Sequence, residues 1–234
     1  MINLPRRPDR RTWMTTVLPP GMPVTFTSDW TGPFDGHELT RNQLEAAGYK
    51  LFPWKIESDN PWWSRPLKYG EIGCTLAHLA CWRHAAETGD EKFVVILEDD
   101  AIVRSTFLDD LLVGLRRVVS GNTFDVLYLG RCPLDPEQDQ AVTTGFVSPA
   151  YSHCTFGYLL TRSALNVLLA THLEHAIVPI DEFLPSLYID HPRPDVRARF
   201  PKQLKAMAFD PPLVRQRSKD EAGSDTEDSD FVEP

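Results

Sequence analysis

The sequence predicts an α/β layered fold built on a mostly parallel central sheet, and three observations carry that reading. Three apolar runs, Phe93-Val94-Val95-Ile96-Leu97, Val126-Leu127-Tyr128-Leu129 and Phe156-Gly157-Tyr158-Leu159-Leu160, have strand length. They are continuous rather than alternating, as in strands covered on both faces. Amphipathic helical patterns lie between and after them, which implies right-handed crossovers and ligands at the strands' carboxyl ends.

The elements follow in chain order. Ile2-Asn3-Leu4 reads as a short opening strand, followed by the basic, Pro-containing stretch Arg6-Arg7-Pro8-Asp9-Arg10-Arg11. Residues 19–66 are rich in Pro, Gly, Asp and Trp, with only 42–48 looking helical, so a long loop-rich surface region is expected. Trp54, Trp62 and Trp63 within it either pack beneath that loop or offer faces for stacking on a sugar or extended chain. Ile72, Leu76 and Leu79 mark a helix over 73–87 that carries Cys74, His78 and Cys81. After the first strand, Phe107, Leu108, Leu111, Leu112, Leu115, Val118 and Val119 trace one face of a second long helix. Leu165, Leu168 and Leu169 mark another, with Ser163 as its expected cap. Pro179 introduces a helix opened by Asp181 and Glu182, acids that suit a helix N-terminus.

Composition narrows the class. The 234 residues are 42% hydrophobic and 24% charged, ordinary for a globular protein. Net charge is −9, but the stretch from Lys219 onward holds seven acids and one lysine, leaving about −3 on residues 1–218. We therefore expect one domain over 1–218 and an acidic tail over 219–234 that is either disordered, as its composition reads, or folded over the binding site. The near-neutral body excludes a duplex nucleic-acid binder, and no stretch approaches the roughly 18 apolar residues of a membrane span. The N-terminus lacks the apolar core of a signal peptide. Cys74, Cys81, Cys132 and Cys154 show neither metal nor disulfide-framework spacing, so reduced structural thiols and a cytoplasmic location are expected.

The first strand ends in Glu98-Asp99-Asp100. Alternation along a strand would drive at least one carboxylate into the core, at a cost of several kcal/mol, so the strand must end there and open on a cleft. Glu98 and Asp100 then share a side. Their oxygens suit a hard cation such as Mn²⁺ or Mg²⁺, and a solvated strand end is the alternative.

Seven segments in one order now stand out: Ile2-Asn3-Leu4 with Arg6 to Arg11; Arg65-Pro66-Leu67 with Gly70-Glu71-Ile72-Gly73-Cys74 and His78; Val95 to Asp100; Asp125 to Arg131; Tyr151-Ser152 to Tyr158; Pro179-Ile180-Asp181-Glu182-Phe183-Leu184-Pro185; and Ser224-Asp225-Thr226-Glu227. Together they resemble glycosyltransferase family 25, most closely the catalytic domain of collagen galactosyltransferases. The resemblance implies a GT-A type, Rossmann-like nucleotide-sugar fold and a UDP-sugar donor, UDP-galactose in the collagen enzymes. It also implies Mn²⁺ and inversion at the anomeric carbon.

By the same resemblance Asp100 is the metal ligand, Glu98 faces the metal or ribose, Asp99 supports them, and Asp225 is a late ligand beside Ser224. Asn3, Leu4, Arg6 and Arg10 would meet the nucleotide, with Gly73 and Cys74 allowing its close approach and His78 lining the donor site. Gln216 and Arg217 would reach the diphosphate or form exposed surface. The catalytic base is Asp181 or Glu182, with Asp181 favoured. The collagen enzymes' second domain and leader are not found in these 234 residues, which points to a free-standing cytoplasmic protein. The acceptor is then a collagen-type hydroxylysine, or a lipopolysaccharide or lipooligosaccharide glycan. A non-catalytic nucleotide- or carbohydrate-binding module is the reading from another class.

Overall fold

A computed structural model describes residues 1–121 and 123–233 of the chain; Pro234, the last residue of the expected tail, lies outside the described residues. The helices are α1 (Pro8–Val17), α2 (Arg41–Ala46), α3 (Tyr69–Thr88), α4 (Phe107–Val119), α5 (Arg162–Ala170), α6 (Ile180–Ser186), α7 (Pro194–Arg199) and α8 (Lys219–Ala222). The strands are β1 (Phe93–Leu97), β2 (Ala101–Val103), β3 (Val126–Pro133), β4 (Gln140–Thr143), β5 (Phe146–Ser148), β6 (Ser152–Thr161), β7 (Ala206–Phe209) and β8 (Val214–Gln216). Six strands form one sheet in the order β1-β6-β3-β7-β5-β4, and β2 pairs with β8 in a small second sheet.

The fold is mixed α/β, but the expected mostly parallel sheet is corrected. Only β3 and β7 run parallel, whereas β6 lies antiparallel to both β1 and β3, and β5 is antiparallel to β4 and β7. The three apolar runs are strands as expected, and both faces of the sheet are covered. Ile96, Leu160, Val126 and Tyr128 join a core with α3, α5 and α6, while Leu97, Leu159, Leu127 and Leu129 join a core with α1 and α4. Covering both faces makes a strand continuously apolar whichever way its neighbour runs, so the pattern carries no information on direction. The β4–β5 excursion turns the chain back, and β6 inserts antiparallel between β1 and β3.

Local chemistry explains most element boundaries. Thr40 and Gln43 form a reciprocal capping box on α2. Glu71 accepts from the Lys68 backbone N–H at the start of α3, at 2.7 Å. For α5 the cap is Thr161, whose hydroxyl accepts from the Ala164 N–H at 3.2 Å; Ser163, the expected cap, lies inside the first turn and hydrogen-bonds the Thr161 hydroxyl. The opening strand is reduced to one parallel bridge between Ile2 and Glu98, with the Ile2 N–H donating to Leu97 O at 2.8 Å. Within the tail, residues 219–222 form α8. Trp54 is buried and donates to Trp62 O, whereas Trp62 stays exposed. No helix among the described residues is long and apolar enough to cross a membrane.

The two sheets meet at Gly130 of β3. A Cβ there would lie 2.2 Å from Val214 O and 2.4 Å from the Phe156 ring. We expect Gly130→Ala to lower stability by about 1–3 kcal/mol, because the clash is with backbone that cannot swing aside. Gly121→Ala meets nothing within 4 Å and should stay within about 0.5 kcal/mol of the parent. Urea unfolding of both variants checks the contrast; equal midpoints would show that β8 yields freely.

Candidate active site

The three carboxylates after β1 share a position but not an environment. The Glu98 backbone N–H donates to Phe156 O, and the Ala101 N–H closes back on Glu98 O, so the triplet forms a turn between β1 and β2. Asp99 is buried and paired: the Asn3 side-chain amide donates to it at 2.8 Å and Arg10 at 2.9 Å. Asp100 accepts from the Gln216 amide at 3.0 Å through one oxygen, while its buried Oδ1 has no partner. Burial, reinforced by the charge of Glu98, raises Asp100 to about 6. Glu98 faces a cleft and rises to about 7, again chiefly through burial.

Thr155 joins this strand end to the start of α6. Its hydroxyl lies 2.9 Å from Glu98 Oε1, 3.3 Å from Asp181 Oδ1 and 3.3 Å from His78 Nε2. Burial keeps His78 neutral, lowering it to about 3. The Trp82 N–H donates to the Tyr158 hydroxyl at 3.0 Å, and that hydroxyl lies 2.7 Å from His78 Nδ1. With the tyrosine proton assigned to Nδ1, the Nε2–H is directed at Glu98, 3.3 Å away. A buried relay thereby orients the first acid of the triplet.

Asp181 and Glu182 are adjacent in sequence and opposite in character. Burial first, then the charge of Glu98, raises Asp181 to about 6. Glu182 is buried too, but Trp63 Nε1 at 3.1 Å, Tyr151 OH at 2.5 Å and His191 Nε2 at 2.7 Å converge on its two oxygens. Against the opposing pull of burial, hydrogen bonds from His153, His191 and Tyr151 hold it well below the ordinary carboxylate range. Glu182 is thus a fixed anion that ties the Trp-rich loop to α6, and Asp181 is the acid left free to exchange a proton.

Two adjoining clefts meet at Glu98, Cys74 and Thr226. The larger, about 280 Å³, is walled by Trp54, Trp62, Lys68, His153, Asp181 and Gln216. The smaller is lined by Asn3, Leu4, Arg10, Gly70, Asp99 and Asp225. The acidic tail roofs both. Asp225 binds Arg6 at 2.6 Å, Arg7 at 2.7 Å and Arg10 at 3.3 Å. Arg7 and Arg10 also donate to Ala222 O, and the Gly70 N–H donates to the Ser229 hydroxyl. Compositional disorder is therefore overridden at 219–233, because the arginines near the N-terminus supply the charge the tail lacks.

Of the residues singled out in the sequence, Asn3, Leu4, Arg10, Cys74, Glu98, Asp99, Asp181, Glu182, Gln216, Ser224 and Asp225 line these clefts. His78 and Asp100 sit just behind the walls, joined to Glu98 and Gln216 respectively. Arg6 turns to Asp35 and Asp225. Arg217 gives its backbone N–H to Asp100 O and lays its guanidinium over Trp13. Gly73 lines neither cleft; a Cβ there would lie 2.3 Å from Phe34 O, so its bareness admits the 34–36 loop. Thr155, His153, Tyr151, His191 and Arg7 were not singled out in the sequence. Arg7, Tyr151, His153 and Thr155 lie inside two of the seven ordered segments, which was the one signal for them, and His191 had none, since hydroxyls, imidazoles and arginines are common on any surface.

Comparison with known proteins places this geometry in a family. The family described as Glycosyltransferase family 25 (LPS biosynthesis protein) matches residues 1–132. A rat protein named "Probable inactive glycosyltransferase 25 family member 3" is 32% identical over 218 residues, which is 92% of this chain and 37% of the rat protein. A Drosophila melanogaster "Glycosyltransferase 25 family member" is 33% identical over 99% of this chain and 38% of its own length. The zebrafish (Danio rerio) "Procollagen galactosyltransferase 1" is 32% identical over 92% of this chain and 35% of its own. The chain thus spans little more than a third of these relatives.

Glu182 sets a stability test. A carboxylate held below its ordinary range stabilises the fold above the unfolded value of about 4.3, and that stability is lost as pH falls through the folded value. Glu182→Gln should therefore cost about 1–3 kcal/mol at pH 7, and its deficit relative to the parent should shrink in acid. Urea titrations at pH 7 and pH 3 measure this; a deficit independent of pH would mean that shape, not charge, holds the loop.

Proposed function

Because the chain belongs to glycosyltransferase family 25, we propose that it is an inverting glycosyltransferase, using a UDP-sugar donor, UDP-galactose in the first instance, with Mn²⁺ or Mg²⁺. One observation carries the reading: Glu98 and Asp181 line one cleft with Asp100 just behind its wall, all three have raised proton affinities, and among the described residues no lysine or arginine side chain is bonded to any of them. A merely structural cluster would neutralise them, as Arg10 does Asp99. Relatives named inactive make turnover the question to test.

The residues fit a divalent cation. Asp100 offers a buried oxygen without a partner, and Glu98 lies close enough to raise its proton affinity. These two would hold the ion, whose chemistry is to neutralise the departing diphosphate as a Lewis acid. Asp225 does not fit as a ligand in this arrangement, since a cation would have to displace three guanidinium groups. Its role is to hold the tail over the donor. The smaller cleft, with Asn3 and Arg10, takes the nucleotide, and the larger takes the sugar and acceptor. The central sheet then serves as the nucleotide platform of a GT-A type fold.

Asp181 is the base. The acceptor hydroxyl gives its proton to the Asp181 carboxylate as its oxygen bonds the anomeric carbon. The bond from that carbon to the diphosphate breaks on the opposite face, and the electron pair leaves with UDP. Glu182, saturated with donors, keeps the start of α6 in place. The acceptor is a hydroxylysine-bearing collagen-type peptide. A glycan is the second reading, favoured by the exposed Trp62 ring at the cleft mouth.

UDP should bind far more tightly with Mn²⁺ than without it in calorimetry; metal-independent or absent binding would sink the enzyme reading. Asp100→Ala should cut UDP-sugar turnover about 100-fold or more while the far-ultraviolet circular dichroism is unchanged. Asp181→Asn should keep donor affinity and lose about 10²–10⁴-fold in transfer. Because Asp181 must be unprotonated, kcat/KM of the parent should fall as pH drops through about 6. A panel of hydroxylysine peptides against oligosaccharides decides the acceptor.

A further inference from the structure

Two of the four cysteines meet at the cleft wall, although 22 residues separate them in sequence. The pairing of β3 with β6 runs Gly130 to Gly157 and then Cys132 to His153. Two steps along β3 thus face four along β6, and the surplus forms a bulge at Cys154, Thr155 and Phe156. Cys154 takes a positive φ of 67° within it. The register sets Cys132 opposite His153, so the left-handed turn at Cys154 lies one residue from the position that faces Cys132 on the neighbouring strand. Cys132 is exposed and Cys154 lines the larger cleft, so small solutes reach both.

The other two thiols differ. Cys81 is fully buried in the core, and burial pushes Cys74 well up from its ordinary value. Cys132 is lowered to about 7 by the neighbouring Cys154 thiol, helped by the charge of His153 against the opposing pull of burial. Cys154 is raised. Cys132, the more exposed of the pair and lowered toward the thiolate, is the thiol that an oxidant in solution meets first, with Cys154 beside it to resolve the product.

We propose that Cys132 and Cys154 form a redox-active dithiol that hydrogen peroxide closes to a disulfide across the β3–β6 bulge. The Cys132 thiolate attacks one peroxide oxygen and the O–O bond breaks, giving a sulfenic acid and hydroxide, which takes up the thiol proton as water. The Cys154 sulfur then attacks the sulfenic sulfur, the S–O bond breaks, and a second water leaves with the Cys154 proton. Two thiols lose two electrons and one peroxide becomes two waters. Thr155, which contacts both Glu98 and Asp181, follows Cys154 directly. Closing the bond thus strains the β6 segment whose Thr155 hydroxyl contacts the candidate base.

The test is peroxide treatment of the intact chain, read by thiol counting and peptide mapping and so independent of sugar transfer. Free thiols should fall from four to two, with a Cys132–Cys154 crosslink that dithiothreitol reverses. Cys132→Ser should keep its three thiols under the same treatment. Cys154→Ser should accumulate a dimedone-reactive sulfenic acid on Cys132. A crosslink involving Cys74 or Cys81, or over-oxidation of Cys132 in the parent without a crosslink, would overturn the proposal.

Discussion

Three consecutive carboxylates at the end of a buried strand impose the constraint to which the rest of the molecule answers. Adjacent like charges in a poorly solvated site repel one another and cost several kcal/mol each unless partnered. The protein partners them unequally. Asp99 receives Arg10 and Asn3, which fixes the N-terminal segment against β1. Asp100 receives one amide from Gln216, which draws β8 alongside β2. Glu98 receives only a hydroxyl and a neutral imidazole. Charge is therefore satisfied in the middle of the triplet and left unsatisfied on both sides, which is the distribution that binding a cation requires.

The same economy extends to the chain's two ends. Arg6, Arg7 and Arg10 lie on the first turns of the molecule and Asp225 near its last, yet all four meet at one point. The tail's acidity, which by composition argues for disorder, becomes the means of its ordering once an arginine cluster faces it. The close fit of Gly70 beneath Thr226 seals that contact, for a Cβ there would meet the Thr226 backbone at 2.6 Å. The roof over both clefts is thus held by charge at one end and by backbone packing at the other.

Asp181 and Glu182 show how little residue type decides without surroundings. Both open α6, both are carboxylic acids, and both are buried. Three donors converge on Glu182, and Asp181 has instead the repulsion of Glu98. The donors come from Trp63, Tyr151 and His191, three segments that only folding unites. One acid is held as an anion by its donors, and its neighbour keeps a raised proton affinity.

The sequence by itself determined β1, β3 and β6, the helices α3 to α6, the strand end that must open on a cleft and the family to which the chain belongs. Each of these rests on local order: apolar runs, helical periodicity, three acids in succession, short segments in a fixed order. What it could not determine was any relation set by distance in space. Continuous apolarity reports two covered faces and is blind to strand direction, so β6 between β1 and β3 could not be foreseen. The cap of α5 fell to Thr161 over Ser163 because the backbone, not the residue type, selects which hydroxyl faces the free N–H groups. Thr155 and Arg7 stood within ordered segments, but their roles as hub and clasp, and the nearness of Cys132 to Cys154, were not readable from sequence. Tertiary structure decided them, because pairing, burial and proton affinity arise from neighbours that the linear chain keeps far apart.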